Sequence, residues 1–227
     1  MNNQAPFSRI VKKTADGWPT LYVAEIDETY HSCFGARTEA QHIFIHHGLE
    51  ALPHKTNLCV FEVGFGTGLN AFEACIWAQK NAVHVNYHTI EKYILSSTDI
   101  RSLDIENYIN TEEYSTFMNI HECSWNTHHT VNNYFNITKI SEDIRKYSNF
   151  PQNIDVVFFD AFSPEKQSDV WTSQIFASLY AHMNHRGILT TYCVKGDIKR
   201  TLKNVGFHIE KLAGPPGGKR EILRAKK

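Results

Sequence analysis

One short segment constrains this chain more than any other. Phe61-Glu62-Val63-Gly64-Phe65-Gly66-Thr67-Gly68-Leu69-Asn70 joins an apolar run, residues 57–63, to a stretch over 69–79 that is apolar around most of its circumference. A buried strand feeding a buried helix through a glycine turn is a building unit of α/β folds. Glycines let the backbone turn tightly and let a ligand approach with no Cβ in the way. The helix N-terminus behind them offers free N–H groups and a positive dipole end. The expected ligand therefore carries a carboxylate or a phosphate. The spacing is G-x-G-x-G through Gly64, Gly66 and Gly68, with Leu at 69. That differs from the G-x-G-x-x-G of dinucleotide sites, and no Lys-Ser/Thr follows as in a Walker loop.

Around this loop, strand-like and helix-like segments alternate. Strands are expected at 57–63, 83–90, 135–140, 154–159, 187–192, 207–212 and 221–224. Helices are expected at 69–79, 97–103, 112–121, 143–147, 170–182 and 197–204. Alternation of this kind predicts a mostly parallel seven-stranded α/β sheet. The last two strands are joined by Ala213-Gly-Pro-Pro-Gly-Gly218, too short for a helical crossover, so the last strand is expected to be antiparallel. Ahead of the sheet, residues 10–13 and 21–24 around Asp16-Gly17 read as a β-hairpin. Thr38-Glu39-Ala40-Gln41 reads as a capping box and Gly48 as the end of the helix it opens. The division expected is 1–56, hairpin and capping helix, and 57–227, the sheet, together one compact unit.

Three acids stand at strand ends. Glu91 closes the strand after the glycine loop, where a carboxylate can accept both hydroxyls of a ribose. Asp160 ends the apolar run Asp155-Val-Val-Phe-Phe and opens a loop with Phe162 and Pro164. In an open α/β sheet the ligand crevice lies outside the carboxyl ends of the strands near the switch point, so Asp160 and the glycine loop should share it. Glu62 precedes the loop and could orient it or attract a cationic ligand. The bland alternative is a surface strand-end residue for Glu91 and a capping or turn residue for Asp160.

Composition removes several classes. No run approaches the ~18 apolar residues of a membrane span, and MNNQAPFSRIVKK lacks the apolar core of a signal peptide. Five cysteines with no C-x-x-C pair suit a reduced, cytoplasmic setting. The thirteen histidines include His42/His46 and His84/His88, but nothing is spaced to complete a metal site, and no metal is expected. The formal net charge of −1 hides two opposed parts. From Lys195 to Lys227 ten bases face three acids, a net of +7, which leaves −8 for residues 1–194.

The order E-V-G-F-G-T-G-L-N, then Glu91, then D-V-V-F-F-D-A-F-S-P-E-K resembles class I methyltransferases that use S-adenosylmethionine, with their Rossmann-like fold. More narrowly it is similar to the MnmC/MnmD family, which methylates the aminomethyl group on the wobble uridine of certain tRNAs. Glu28-Thr29-Tyr30-His31-Ser32, Glu39, Trp171, Thr191-Tyr192-Cys193, Arg200 and Gly217-Gly218-Lys219-Arg220-Glu221 extend the likeness over nearly the whole chain. The sequence stops at Lys227, so the resemblance implies the stand-alone methyltransferase form without the flavin oxidase. Lys195-Gly196 differs from the Ser-Ala-Gly of two-domain members.

The resemblance implies Asp160 as the acid beside the amine. It places Glu62, Gly64, Gly66, Gly68 and Glu91 on the cofactor, with Asp143 at the adenine edge and Tyr30, Ser32 and Glu39 closing over it. Phe162 would stack on a splayed uracil, and Lys195, Lys219 and Arg220 would meet the phosphates of an anticodon stem-loop. A separate enzyme would supply the aminomethyl uridine. A methyltransferase for a small-molecule amine and a non-catalytic tRNA-binding module are alternatives, and a nicotinamide oxidoreductase is a more distant one.

Overall fold

The computed structural model describes residues 7–52 and 55–227. Residues 1–6, read above only for lack of an apolar leader, lie outside it. The chain opens with a small antiparallel sheet of β1 (Arg9–Lys13), β2 (Pro19–Val23) and β3 (Glu28–Thr29). The central sheet is built from β4 (Asn57–Val63), β5 (His84–Glu91), β6 (His128–Asn132), β7 (Phe135–Ser141), β8 (Ile154–Phe159), β9 (Met183–Thr191), β10 (His208–Ala213) and β11 (Glu221–Lys226). Across the sheet they run β10-β11-β9-β8-β4-β5-β7-β6. The neighbours from β9 through β7 pair in parallel, whereas β11 is antiparallel to both β9 and β10.

The expected mostly parallel sheet with its antiparallel last strand is present. An eighth strand, β6, joins β7 antiparallel at the edge. Its sequence, HHTVN, is polar and never fully buried, so it carries none of the apolar alternation that marks the other strands. β8 is the opposite case: all six residues, Ile154 to Phe159, are buried. Asp155 tolerates this place because it accepts the Cys59 N–H at 3.0 Å and Asn184 Nδ2 at 2.6 Å and pairs with Lys55.

Helices cover both faces. On one lie α1 (Ala36–Ala40), α2 (Leu69–Asn81), α3 (Ser97–Arg101) and α4 (Thr111–Glu122), with Phe44, Phe72 and Phe117 in the core. On the other, α5 (Ser173–His182) and α6 (Gly196–Val205) pack Phe176, Leu179, Ile198 and Leu202 onto Phe159 and Leu189.

Several local expectations change. Thr38 lies inside α1, which starts at Ala36, and it is not the cap. Its N–H and hydroxyl both donate to Asp16 Oδ2, at 2.9 and 3.0 Å, so the first turn is held by an acid in the hairpin turn. Beyond α1 the helix widens to π-type bonding over Gln41–His46. Gly48 has a negative φ and is no left-handed terminator; a Cβ there would stand 2.2 Å from the Phe44 carbonyl oxygen. Residues 143–147 form a turn, because the Asp143 carboxylate takes the Arg145 N–H at 3.1 Å in place of helical bonding. α5 starts three residues later than expected, capped by the Thr172 side chain. α3 is capped by Ser96, through a capping box with Asp99.

Candidate active site

The glycine loop follows β4 and the Asp160 loop follows β8. These two strands are adjacent, and β5 and β9 flank them. The chain therefore reverses its winding between β4 and β8, and the crevice of such a sheet opens there. A cavity of about 410 Å³ occupies this place. Its wall includes Gly64, Gly66, Asn70, Glu91, Asp143, Asp160, Phe162 and Tyr192, closed over by Glu28, Tyr30, Ser32 and Glu39 from the N-terminal segment.

The loop is shaped by close approaches. Gly64 has φ +94, and a Cβ on it would stand 2.5 Å from the Asp160 carbonyl oxygen. Gly66 has φ +50, and a Cβ would stand 2.9 Å from Tyr30 Cδ1. These glycines let the acid loop on one side and the Tyr30 ring on the other touch the turn. Gly66 donates its N–H to Glu91 Oε2 at 3.2 Å, and Tyr93 donates to Oε1 at 2.7 Å. A carboxylate offers about four acceptor directions, so Glu91 can still accept hydroxyls. Burial pushes its pKa up, opposed by these backbone N–H groups.

Asp160 is held by Asn70, whose Nδ2 donates to Asp160 Oδ2 at 2.8 Å and to Glu62 Oε1 at 3.1 Å. Burial drives the Asp160 carboxyl up to about 7. The Glu39 carboxylate pushes it further up, and the Asn70 amide and Lys219 ammonium oppose. Glu62 is fully buried beneath the loop and lies outside the cavity wall. Burial pushes it up to about 8, and the charge of Asp160 adds to this. Its second oxygen and the hydroxyls of Tyr87 and Thr89 are buried without a partner at full hydrogen-bond geometry.

The two acids make stability depend on pH. An unfolded chain loses these protons near their ordinary values of about 4, while the folded chain holds them to about 7 and 8. Between those limits the folded state binds more protons, so stability falls as pH rises from about 5 to 8. Glu62→Gln should flatten that slope and raise the unfolding midpoint at pH 8 by about 5 °C, read by calorimetry. An unchanged slope would contradict a protonated buried Glu62.

The N-terminal segment is tied to both loops. Glu28 accepts the Ser163 N–H and hydroxyl, both at 3.0 Å, which fixes the loop after Asp160. His31 bridges Thr20 Oγ1 at 3.0 Å and Thr67 Oγ1 at 3.2 Å, and burial keeps it neutral with a pKa of about 4. The Tyr30 ring meets Phe162 edge-on at 5.1 Å. Glu39 is 8% exposed and accepts the Ser32 N–H at 3.2 Å. Asn70, Glu28, His31 and Tyr192 were not singled out as site residues from sequence. Their partners are 8 to 135 residues away, and no local pattern marks such pairs.

The remaining expected residues scatter. Asp143 is in the wall, where Arg145 foremost, with Lys92 at 3.2 Å, holds its carboxyl well below the usual range. Lys219 points into the cavity, with Nζ 3.7 Å from the centre of the Tyr192 ring. Lys195 immediately precedes α6 without capping it, pairs with Glu165 and lies outside the wall, as do Arg220 and Gly68. Gly68 stands at the start of α2 with φ +73. Within 195–227, Arg224 and Lys226 pair with Glu210, Lys211 pairs with Glu221, and Lys227 Nζ donates to carbonyls ending α5; both acids are already counted in the net of +7, so the basic surplus stands. Among the described residues no group of three or more His, Cys, Asp or Glu could hold a metal, and no helix is long and apolar enough to cross a membrane.

Residues 107–227, just over half the chain, match the profile of a family described as S-adenosyl-L-methionine-dependent methyltransferase. The chain belongs to that family. The match covers β6–β11 and Asp160, whereas the glycine loop lies before it, so loop and profile are independent signs of one cofactor. This methyltransferase is 25% identical over 211 residues to the tRNA 5-methylaminomethyl-2-thiouridine biosynthesis bifunctional protein MnmC of Hydrogenovibrio crunogenus, covering 88% of this chain and 31% of that protein. The identity to the protein of that name from Methylobacillus flagellatus is 29%, covering 96% and 35%. The chain thus spans about a third of these curated relatives. Among solved structures it is similar to MNMC2 from Aquifex aeolicus, with a TM-score of 0.72 and 23% identity over 96% of this chain and 70% of that one. It is also similar to spermidine synthase from Thermotoga maritima, with a TM-score of 0.60 and 12% identity over 99% and 71%. Both likenesses are of fold. The wall suits S-adenosyl-L-methionine: a glycine turn that a Cβ would fill, a carboxylate with acceptor capacity at the end of β5, and a cavity rich in acids for a sulfonium cation.

Proposed function

We propose that this methyltransferase N-methylates the 5-aminomethyl group on the wobble uridine of tRNA, with or without 2-thiolation. The observation that carries the reading is Asp160. Its carboxyl lies in the same cavity wall as the glycine loop and is tuned to about 7, the range in which it can take a proton from an amine at neutral pH. The names of the relatives supply the substrate. On this reading a separate enzyme generates the aminomethyl group, and the protein works in the cytoplasm alongside its tRNA substrate.

When bound, S-adenosyl-L-methionine supplies a methyl group on a sulfonium, which a neutral amine can take while the C–S bonding pair stays on sulfur. Glu91 would accept the ribose hydroxyls, the backbone around Gly64 and Gly66 would hold the amino-acid end, and Asp143 would face the adenine edge. Glu62 would act from beneath, keeping Asn70 in place. Asp160 would accept an N–H of the amine, aim its lone pair and remove a proton. Phe162, set at right angles to Tyr30, would stack on the uracil.

The test is label transfer from methyl-labelled cofactor to tRNA carrying aminomethyl uridine, before and after mild N-acetylation. Acetylation ties up the nitrogen lone pair and should abolish incorporation. Equal labelling of blocked and free tRNA would sink the amine as acceptor, and transfer to a free amine alone would favour a small-molecule substrate.

Docking of the tRNA phosphates falls, on this reading, to exposed bases outside the cavity wall. Arg200 folds back toward the start of α6, within 3.3 Å of where a Gly196 Cβ would stand, and Arg220 is exposed beside Lys219. Neither takes part in an ion pair among the described residues. Reversing both charges should weaken tRNA binding and lower the salt slope of log K by roughly two. A filter-binding series at several salt concentrations reads this; an unchanged slope would place the phosphates elsewhere.

A further inference from the structure

Glu39 has an unmet requirement. It lines the cavity, it is nine-tenths buried, and while Oε1 takes the Ser32 N–H, Oε2 is buried with no partner. A buried, half-satisfied carboxyl aimed at a cavity is costly unless a cation or donor completes it. Asp160 lies close enough for the Glu39 charge to push its pKa up, after burial. Opposite them the Tyr192 ring is fixed, its hydroxyl donating to the Ala161 carbonyl at 2.8 Å and its edge against Trp171 at 6.1 Å. Two carboxyls and an aromatic face directed at one space are the elements of a cation site. One cation stands at its aromatic side: Lys219 Nζ lies over Tyr192, near enough for its charge to act on both carboxyls but in no ion pair with either. It arrives on a loop, Gly214 to Gly218, and its residue is otherwise exposed.

We propose that Glu39, Asp160 and the face of Tyr192 form a subsite for a primary ammonium on a methylene, and that Lys219 holds its aromatic side until the substrate's aminomethyl group displaces it. This rests on the functional reading above. The end of a lysine side chain and a protonated aminomethyl group are the same chemical unit, CH2–NH3⁺, so one site accepts either. The exchange also has a consequence for the chemistry. Lys219 holds Asp160 and Glu39 down toward the charged form. When the substrate's ammonium takes its place, the same charge stands beside both carboxyls, now on a nitrogen whose proton Asp160 can take. One proton passes from that ammonium to the Asp160 carboxylate and then to solvent, leaving the nitrogen a free electron pair. Glu39, expected from sequence to lie over the cofactor, is in this account a partner of the amine.

The groups facing Asp160 are Glu39 from α1, Glu62 from β4, Tyr87 from β5, neutral Asn70 from α2, Lys219 ahead of β11 and Tyr192 after β9, with Glu28 facing Tyr192. Two substitutions therefore have opposite signs. Glu39→Gln removes a negative neighbour, lowers the Asp160 pKa and moves the acid limb of the rate profile down by roughly half a pH unit or more. It also raises KM for aminomethyl tRNA. Lys219→Met removes the resident cation. KM should fall roughly two- to fivefold, the worth of an exposed cation–π contact. The acid limb of kcat/KM, which reports free enzyme, should move up, while that of kcat, which reports the complex with Lys219 already displaced, should stay.

The experiment is a pH series of methyl transfer to aminomethyl tRNA by the wild type, Glu39→Gln and Lys219→Met proteins. Lys219 is on an exposed loop, so its variant keeps the test open if Glu39→Gln fails to fold. A raised KM in Lys219→Met, or kcat and kcat/KM limbs that shift together, overturns the exchange and returns Lys219 to phosphate docking. A wild type that does not methylate this tRNA overturns the functional reading itself, a different result from either.

Discussion

Replacing Asp160 by Asn should lower the methyl-transfer rate constant by about 10²- to 10⁴-fold, the range of a positioned acid–base group, and leave cofactor affinity within about threefold of wild type. The substitution keeps the shape of the side chain and an oxygen for Asn70 Nδ2. What it removes is the capacity to take a proton. The wild-type rate should climb through pH about 7, because only the ionised carboxylate is competent and burial has raised its pKa to that value. The variant should lose that limb. Single-turnover transfer read beside calorimetric cofactor binding separates the two effects. A variant within tenfold of wild type would show that Asp160 is not the acceptor.

The second large effect is expected at Gly66. A valine there must adopt φ +50, which costs an L residue about 1–2 kcal/mol and a β-branched one more, and its Cβ must displace the Tyr30 ring from 2.9 Å. In the free protein the loop can relax away from this conformation. The cofactor-bound protein cannot relax in this way if Gly66 and Glu91 hold the ligand together through the 3.2 Å bond between them. The cost, about 3 kcal/mol in all, then falls on binding as roughly a hundredfold loss of affinity for S-adenosyl-L-methionine. The unfolding midpoint should drop by only a few degrees. A dissociation constant within threefold of wild type would mean that the glycine turn does not shape the cofactor site.

What was legible from sequence follows the reach of each signal. β8 was readable to the residue because burial on both faces leaves an unbroken apolar run, and its terminal Asp160 was readable because polar residues end such runs where the sheet opens. β6 was invisible because an edge strand needs no apolar face. The Thr38 motif misled because a hydroxyl three residues before an acceptor matches a cap by spacing, while the real acceptor, Asp16, is 22 residues earlier. Lys219 and Arg220 are adjacent in sequence and looked equivalent as phosphate contacts. The backbone turns one into the cavity and leaves the other outside it, a difference that depends on the pairing of β11 with β9 and β10.

The central claim is that an exocyclic amine on a tRNA uridine is the acceptor. Nucleoside mass spectrometry of tRNA incubated with the protein and methyl-labelled S-adenosyl-L-methionine tests it most directly. The account predicts one labelled nucleoside, 5-methylaminomethyl uridine or its 2-thio form, absent with Asp160→Asn. Label on any other nucleoside, or on none while a free amine is methylated, would contradict it.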